Sequence, residues 1–283
     1  MITPVERPDG VVGEVVLGEV CLTLLLDARG TISGDRVFSP ASREEWGDGL
    51  KVGPDGEVPI QVTCLLIRIG EHCTLVDTGF GDALRTERDE GMLKGLAAVG
   101  VEPKGIERVI LTHSHGDHAA GNTLRRGRAW VPAFPQAEYV VQEREVAAMR
   151  AAGDAFWRTR YQPLVDRGQL HTIDGDVSLG DSLACRLTPG HTIGHQSVIV
   201  STGEGPAVFL GDLAVLARNL EHPEWNPSWA WSIEADIASR RAMIDWAAKT
   251  GALVIVGHDP NRTFVRVAVA GGMARVTAAN VGT

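Results

Sequence analysis

The chain has 283 residues, of which 44% are hydrophobic, and a formal net charge of −9 at pH 7. This length fits one large domain or two small ones, and the hydrophobic fraction is ample for a core. The acidic balance, without any basic stripe, argues against a nucleic-acid-binding protein. No apolar stretch approaches a membrane span, and the N-terminus lacks the pattern of a signal peptide. We therefore expect one domain over residues 1–283, located in the cytoplasm, with a small-molecule substrate as its partner.

Cysteine usage agrees with this location. The four cysteines are scattered through apolar, strand-like segments and are predicted to be buried free thiols in a reducing compartment. They are Cys21, Cys64, Cys73 and Cys185.

The pattern of apolar and turn-forming residues predicts alternating strands and helices in the first half of the chain. In chain order these are strands over 11–26, 60–69 and 73–76, a helix over 92–99, a short helix starting at Glu102, strands over 109–111 and 137–141, and a helix over 143–152. Residues 28–58 are rich in Gly, Pro and Asp, so they predict an irregular excursion that is a candidate dimer contact. Trp46 in this excursion, together with Phe156 and Trp157, is predicted to pack in the core or at a subunit contact.

The second half of the chain predicts mostly strands, interrupted by one long helix. The predicted strands are 177–179, 183–187, 196–200, 207–210, 252–256, 263–270 and 273–278. The helix spans 233–249, with Ser232 as its N-cap, because its apolar residues share one face. These residues are Ile233, Ile237, Ile244 and Ala248.

The most informative segment is 113–118, which places three imidazoles and one carboxylate directly after a predicted buried strand. Neutral imidazole nitrogens and carboxylate oxygens suit zinc and other borderline first-row ions. His113 and His115 alternate, so on an extended backbone both point the same way and can share one ion. Asp117 and His118 follow a glycine turn and can therefore aim at a second ion.

Three later positions supply the remaining candidate ligands. His191, Asp212 and His258 lie at strand ends or turns flanked by glycine, where side chains and backbone approach an ion closely. Taken alone, a histidine after a glycine is more often a turn residue than a ligand. Together the positions complete a set of seven, in which each ion keeps an open position for water, as a catalytic site needs. One ion would be held by His113, His115 and His191, the other by Asp117, His118 and His258, with Asp212 bridging them.

This H-x-H-x-D-H segment, followed by His191, Asp212 and His258, resembles the metallo-β-lactamase superfamily over roughly residues 60–260. The resemblance implies an α/β (α+β) four-layer αββα sandwich with the metals at one edge of two sheets. It also includes an early aspartate, Asp77, which in the family lies beside the ligands and orients them. The alternative for Asp77 is a turn former after a strand. His195 is predicted to be a structural hydrogen-bonding residue near the site.

A centre of this kind predicts hydrolysis. Two divalent ions lower the pKa of a bound water toward neutrality, so a metal-bound hydroxide attacks an ester, lactone or phosphotriester whose oxygen the ions polarise. The expected ion is zinc, although the same ligands accept manganese, cobalt or iron. The resemblance suggests Asp117 as the carrier of a proton to the leaving group. No serine nucleophile is expected, because the chain lacks Gly-x-Ser-x-Gly.

Within the superfamily, the chain most resembles the acyl-homoserine lactonase and methyl parathion hydrolase-like group. The resemblance rests on Thr-Pro-Gly-His-Thr-Ile-Gly-His-Gln-Ser over 188–197, on Gly211-Asp212 and on Gly257-His258. The well-known lactonases of this group place a tyrosine three residues after the bridging aspartate, where this chain has Val215. A lactonase or esterase and an organophosphate-hydrolase-like enzyme are therefore both open.

Three other functions remain as alternatives. A thioester hydrolase of the glyoxalase II type carries a long helical, basic C-terminal domain, whereas the residues after His258 look like strands. An iron-dependent persulfide dioxygenase uses a similar motif with a single iron. A non-catalytic binding or sensory protein on the same fold commonly loses ligands, and this chain keeps all seven.

The substrate pocket is predicted from an aromatic, proline-rich loop over 219–231. This loop follows the bridging aspartate and precedes the long helix, so it can lie over the metals. An aromatic wall there favours an apolar or aryl leaving group. The alternative is that its tryptophans pack the helix against the sheet. The candidate pocket residues are His222, Trp225, Trp229 and Trp231.

Overall fold

The computed structural model of the chain describes residues 9–83 and 91–279. The remaining parts of the predicted domain 1–283 lie outside the described residues. Within the described ranges the strands are β1 (Val11–Leu17), β2 (Val20–Ser33), β3 (Glu57–Ile69), β4 (His72–Val76), β5 (Arg108–Ile110), β6 (Thr123–Arg126), β7 (Ala129–Pro132), β8 (Glu138–Gln142), β9 (Leu170–Ile173), β10 (Val177–Ser178), β11 (Leu183–Leu187), β12 (Gln196–Val200), β13 (Ala207–Phe209), β14 (Leu253–Ile255), β15 (Phe264–Ala270) and β16 (Met273–Ala278).

The helices lie mostly where the sequence predicts them. Over the same ranges they are α1 (Gly34–Val37), α2 (Arg43–Trp46), α3 (Met92–Ala98), α4 (Gly116–Ala119), α5 (Glu143–Ala152), α6 (Gln162–Asp166), α7 (Arg218–Glu221) and α8 (Ile233–Thr250). A π-helical turn, Trp157–Tyr161, leads into α6. Among the described residues, no helix combines the length and apolarity needed to cross a membrane.

The strands of the described residues form two seven-stranded sheets. Their spatial orders are β1-β2-β3-β4-β5-β8-β9 and β10-β11-β12-β13-β14-β15-β16, and β6 pairs with β7 in a separate hairpin. The arginine-rich segment 125–128 forms the end of β6 and the turn that leads into β7.

Three buried clusters show that the sheets and helices are stacked in four layers. The inner faces of the two sheets meet around Leu22, Leu65 and Phe209. The helix layer α3, α5 and α6 covers the outer face of the first sheet, and α8 covers the outer face of the second. Burial of these apolar side chains is the main force that holds such layers together. The four-layer αββα prediction is confirmed.

The edge of the sandwich that carries the candidate ligands is set by parallel strands. In the first sheet β4, β5 and β8 run parallel, and in the second β13 runs parallel to β14. The carboxyl ends of parallel strands meet at one sheet edge, which is where ligand-binding loops gather in α/β folds. The loops after β4, β5, β13 and β14 therefore face one another.

The excursion predicted over 28–58 is shorter in the structure. β2 continues to Ser33 and β3 begins at Glu57, because the two strands stay paired as far as that residue pair. The irregular part, residues 34–56, contains α1 and α2, and α2 begins with a capping box formed by Ser42 and Glu45. Trp46 is fully buried and its Nε1 donates to Asp35 Oδ1 over 3.0 Å, which confirms the core prediction for this tryptophan.

The predicted apolar face of α8 is wrong at its N-terminus. Ile233 is 51% exposed, whereas Asp236 and Arg240 are fully buried on the same helix. These two charged residues form an i,i+4 ion pair, and hydrophobic periodicity cannot identify a buried face that contains a charge pair. The capping prediction is confirmed, because Ser232 Oγ accepts from Ala235 N.

The cysteine prediction holds only in part. All four are free, but Cys21 and Cys73 are partly exposed, whereas Cys64 and Cys185 are buried. Cys21 and Cys73 lie near strand ends of the first sheet, where the helix layer does not cover them completely.

Candidate metal centre

Seven side chains converge into two adjoining clusters, and they come from the segments that follow β5, β11, β13 and β14. The first contains His113, His115, His191 and Asp212, and the second contains Asp117, His118 and His258. Within each cluster the candidate ligand atoms all lie within 4.8 Å of one another. The structure therefore brings together every position in the predicted set of seven.

In the first cluster, three ring nitrogens surround one carboxylate oxygen. His115 Nδ1 lies 2.9 Å from His113 Nε2 and 3.0 Å from His191 Nε2. Asp212 Oδ2 lies 3.1 Å from His191 Nε2 and 4.0 Å from His113 Nε2. The alternation of His113 and His115 along an extended segment allows both rings to reach the same point, as the sequence predicts.

The second cluster is contacted by the other carboxylate oxygen of Asp212. Asp212 Oδ1 lies 2.9 Å from His258 Nε2 and 3.1 Å from His118 Nε2. Asp117 Oδ2 lies 3.5 Å from His118 Nε2 and 3.7 Å from His258 Nε2. The two oxygens of Asp212 thus face different clusters, which is the geometry of a bridging ligand.

The hydrogen-bonding state of two imidazoles shows that this arrangement suits a cation. His258 Nδ1 lies 2.7 Å from the carbonyl oxygen of Gln61, and His118 Nδ1 lies 2.8 Å from Asp77 Oδ2. Both partners accept, so each Nδ1 carries a hydrogen and Nε2 is the nitrogen of each ring that is left for an ion. These two Nε2 atoms face each other at 3.2 Å and also face Asp212 Oδ1. Two ring nitrogens and a carboxylate oxygen that converge on one point are a donor set that fits a divalent ion.

Asp77 holds the start of the ligand loop in place. It is fully buried and has a positive φ of 62°, a conformation that aspartate tolerates better than most residues. Its Oδ1 accepts from Thr112 N over 2.7 Å, and its Oδ2 accepts from His118 Nδ1. The carboxylate therefore fixes both the backbone before the ligands and the tautomer of one ligand.

His195 holds the backbone of Asp212 in place. Its Nδ1 donates to the carbonyl oxygen of Thr188 over 3.1 Å, so Nε2 is free to accept from Asp212 N over 3.0 Å. Gly211, with φ 59°, is needed here, since a Cβ would lie 2.7 Å from His195 Nε2. Burial, reinforced by His191, lowers the pKa of His195 to about 3, which keeps the ring neutral and able to accept.

The electrostatics of the two clusters differ in the metal-free chain. In the first cluster, burial and neighbouring imidazoles lower the pKa of His113, and they lower that of His115 to about 4. In the second, burial opposes the change but Asp117 and Asp212 raise the pKa of His118. His113 and His115 are therefore neutral at neutral pH, whereas the carboxylates of Asp117 and Asp212 favour the protonated ring of His118.

A buried glutamate that the sequence analysis missed ties two ligand loops together. Glu145 on α5 accepts from Ser114 N over 2.9 Å with Oε1 and from Gly194 N over 3.0 Å with Oε2. Ser114 also exchanges a 2.6 Å hydrogen bond with the fully buried Tyr161. Nothing local in the sequence marks Glu145, because both loops that it joins are distant from it along the chain.

The aromatic loop 219–231 packs against the irregular segment 34–56, and we call the two together the cap. Asn226 N donates to Ser39 O over 2.7 Å, and Ser228 N donates to Arg36 O over 2.8 Å. The cap has its own apolar cluster, which includes Phe38, Trp46, Val215, Leu216, Trp225 and Trp229. Two segments far apart in the sequence thus form one structure beside the metal centre.

The four predicted pocket residues occupy different positions in the cap. Trp225 stacks on His222 with ring centroids 3.7 Å apart and packs on Phe38, so both point into the cap rather than directly at the ligands. The Trp229 ring meets the His191 ring edge-on, and the two ring centroids lie 6.4 Å apart. Trp231 donates its backbone N–H to His191 O over 3.1 Å, and its side chain is 59% exposed.

A sequence profile of the metallo-beta-lactamase superfamily matches residues 58–265. Among characterised relatives, the N-acyl homoserine lactonase AttM of Azorhizobium caulinodans is 28% identical over 239 residues, covering 74% of this chain and 85% of the relative. An N-acyl homoserine lactonase of a Bacillus species is 26% identical over 227 residues, covering 73% of this chain and 84% of the relative.

Solved structures share the fold over nearly the whole chain. The dizinc quorum-quenching lactonase AidC, solved in complex with its product, superposes with a TM-score of 0.78 at 22% identity, covering 97% of this chain and 99% of AidC. A probable metal-dependent hydrolase from Staphylococcus aureus superposes with a TM-score of 0.81 at 19% identity, covering 94% and 99%. At these sequence identities the superpositions show a shared fold and nothing about function.

Proposed function

Because the chain belongs to the metallo-beta-lactamase superfamily, we propose that its seven converging side chains hold two divalent ions and that it hydrolyses the ester bond of lactones. The protein is a metal-dependent hydrolase, and the finer assignment rests on one observation above others. The two oxygens of Asp212 face different clusters at distances near 3 Å, namely 3.1 Å to His191 Nε2 and 2.9 Å to His258 Nε2.

We propose zinc as the ion, since three imidazoles and a carboxylate oxygen suit it, with manganese, cobalt or iron as alternatives. When bound, a pair of divalent ions supplies an activated water and polarises the carbonyl under attack. His113, His115 and His191 would hold one ion. Asp117, His118 and His258 would hold the other, and Asp212 would bridge them.

Asp117 is the proposed proton carrier to the leaving oxygen. Its side chain is 28% exposed, whereas those of His118 and His258 are almost fully buried, so it is the ligand of the second cluster that can reach substrate and solvent. Burial raises the pKa of Asp117, but His118 outweighs this effect and holds it at about 2. The carboxylate is therefore ionised at neutral pH and can accept a proton before passing it to the departing alkoxide.

The chain performs this reaction without a tyrosine hydroxyl on the substrate. It contains only two tyrosines, Tyr139 and Tyr161, and both are fully buried. The Tyr161 hydroxyl is paired with Ser114, and that of Tyr139 donates to Asn122 O over 3.0 Å. Val215 is buried in the cap cluster. We therefore propose that polarisation of the lactone carbonyl does not involve a phenol.

The side of the centre nearest His191 is proposed as the substrate wall. Trp229 meets the His191 ring edge-on, and Arg36 Cζ lies over the Trp229 ring, 5.0 Å from its centroid. Exposed Trp231 continues the apolar surface. An aromatic wall with a cation behind it suits an apolar substituent that carries a polar carbonyl. Trp225 and His222 would shape this wall indirectly, through the cap.

A phosphotriester is the second candidate substrate. Both tyrosine hydroxyls are paired inside the fold, and an indole beside the centre also suits an aryl leaving group. The same paired ions would serve a phosphoryl oxygen as well as a carbonyl oxygen.

The test is a substrate panel run on protein of measured metal content. It contains aliphatic lactones, acyl-homoserine lactones, aryl esters and a phosphotriester, each with wild type, Asp212→Ala and the exposed-site control Asp245→Ala. Lactone turnover that disappears only with Asp212→Ala supports the proposal. Preference for the phosphotriester selects the second candidate. No turnover of any of these by protein that holds two ions would overturn both, and thioesters, then persulfides with iron-loaded protein, would be tried next.

A further inference from the structure

Most of the imidazoles that direct Nε2 into the metal centre have an acceptor on their other nitrogen. The partners are Thr112 Oγ1 for His113 at 3.1 Å, Asp77 Oδ2 for His118 at 2.8 Å and the Gln61 carbonyl for His258 at 2.7 Å. His191 differs, because its Nδ1 is buried and has no hydrogen-bond partner among the described residues. Metal-binding histidines nearly always donate this second hydrogen to a carboxylate, a carbonyl or water.

A buried carboxylate oxygen that lacks a hydrogen-bond donor lies next to His191. Asp236 on α8 is fully buried, and its Oδ1 has no hydrogen-bond partner in residues 9–83 and 91–279. The first turn of α8 packs directly on the loop that carries His191, since Ser232 N donates to Gly190 O over 2.9 Å. The approach is so close that a Cβ on Gly190 would lie 2.1 Å from Asp236 Cα.

We propose that Asp236 is a positioning residue of the metal centre, whose Oδ1 accepts the Nδ1 hydrogen of His191 when Nε2 takes up an ion. The inference rests on the metal centre proposed above and is independent of the substrate. The side-chain amide of Asn226 also lies against Asp236 and is a second hydrogen-bond donor available to it. A carboxylate oxygen accepts two hydrogen bonds, so the two donors can be served together.

The partner of Asp236 extends this network to the rest of the site. Arg240 pairs with Asp236 Oδ2, and both are fully buried. Arg240 Nε donates to Leu213 O over 2.6 Å, directly after the bridging aspartate, and Nη1 donates to Pro223 O over 2.8 Å and Asn226 Oδ1 over 2.7 Å in the cap. Since a buried ion pair is weak evidence for net stabilisation, we infer that this pair serves to position the groups that it contacts. The Asp236–Arg240 pair would thus connect His191, the turn that follows Asp212 and the aromatic loop.

The experiment compares zinc affinity, measured by chelator competition, in wild type, Asp236→Asn and the control Asp245→Asn. Asp245 lies on the exposed side of the same helix, so the control removes one carboxylate without touching the centre. We expect Asp236→Asn to bind one of its ions roughly 10- to 100-fold more weakly, with a shifted visible spectrum in the cobalt-loaded protein. The control is expected to match wild type within about twofold.

A purely structural role would lower the melting temperature of the metal-free Asp236→Asn protein but leave zinc affinity and the cobalt spectrum unchanged, and that result overturns the inference. If the variant does not fold, the wild type provides the test by nuclear magnetic resonance. The zinc-loaded protein is expected to show a downfield, slowly exchanging Nδ1 proton on His191, and rapid exchange of that proton contradicts the proposal. Wild type that binds no zinc would instead refute the metal centre itself.

Discussion

The candidate metal centre is built largely from one short segment, whereas the cap is built from two segments that are far apart in the sequence. The centre takes four of its seven candidate ligands from the single segment 113–118 and the others from glycine-flanked strand ends or turns. The cap joins 34–56 to 219–231, which approach only through long-range packing and backbone hydrogen bonds. The proposed reaction chemistry is therefore specified mainly by local sequence, whereas the proposed substrate wall is specified by tertiary structure. Variants of the two regions should accordingly separate turnover from substrate binding.

The largest effect is expected from the residue that joins the two halves of the centre. Asp212→Ala removes both carboxylate oxygens, so we expect metal content to fall and kcat/KM to drop by at least about 1000-fold, equivalent to about 4 kcal/mol. Metal analysis and steady-state kinetics on the same preparation check this. Full activity in the variant would mean that Asp212 does not bridge.

The next largest effect is expected from Asp77, which hydrogen-bonds the candidate ligand His118. Asp77→Asn keeps the side-chain shape and tolerates the positive φ of this position, but it removes the negative charge that His118 Nδ1 faces. We expect a roughly 10- to 100-fold loss of metal affinity and activity. Chelator competition measures the first and kinetics the second. An unchanged metal affinity would show that Asp77 only forms the turn after its strand, which is the alternative that the sequence allows.

A cap variant should change binding rather than turnover. Trp229→Ala removes the indole beside His191, so we expect KM to rise roughly tenfold with kcat within about threefold of wild type. Trp246→Ala on the outer helix is the matched control, because that indole contacts Arg186 on the far side of the second sheet. An equal fall of kcat in both variants would show that the cap does not contact the substrate.

The smallest effect is expected from restoring the tyrosine of related lactonases. Val215 is buried against the cap cluster, so Val215→Tyr should overpack it and lower the free energy of unfolding by about 1–3 kcal/mol. No gain in lactone turnover is expected, and thermal unfolding with kinetics checks both statements. A faster, equally stable variant would show that the phenol reaches the centre from this position.

Much of the fold and all of the converging ligands could be predicted from the sequence because each depends on local patterns. The helix beginning at Glu143 and the strand Gln196–Val200 follow from periodicity and flanking turns. The candidate ligands stand out because imidazoles and carboxylates after buried strands are rarely needed for packing alone. The structure shows the convergence, whereas the role of each side chain stays a prediction.

The rest could not be predicted, because it depends on contacts between distant segments. Glu145 joins two loops by accepting backbone hydrogen bonds, and Asp236 with Arg240 forms a buried pair on a helix face predicted to be apolar. A charged residue in a helix is normally assigned to solvent, so sequence patterns place these residues on the wrong side. The end of the excursion was also misplaced, since the pairing of β2 with β3 extends through polar residues.

The most direct test of the central claim is a zinc titration of metal-free protein, followed by the initial rate of hydrolysis of a lactone that the wild type turns over. If Asp212 joins two ions into one catalytic centre, activity should rise until two equivalents per chain have been added and then stay constant. Activity that saturates at one equivalent, or that the metal-free protein already possesses, would contradict a dinuclear hydrolase.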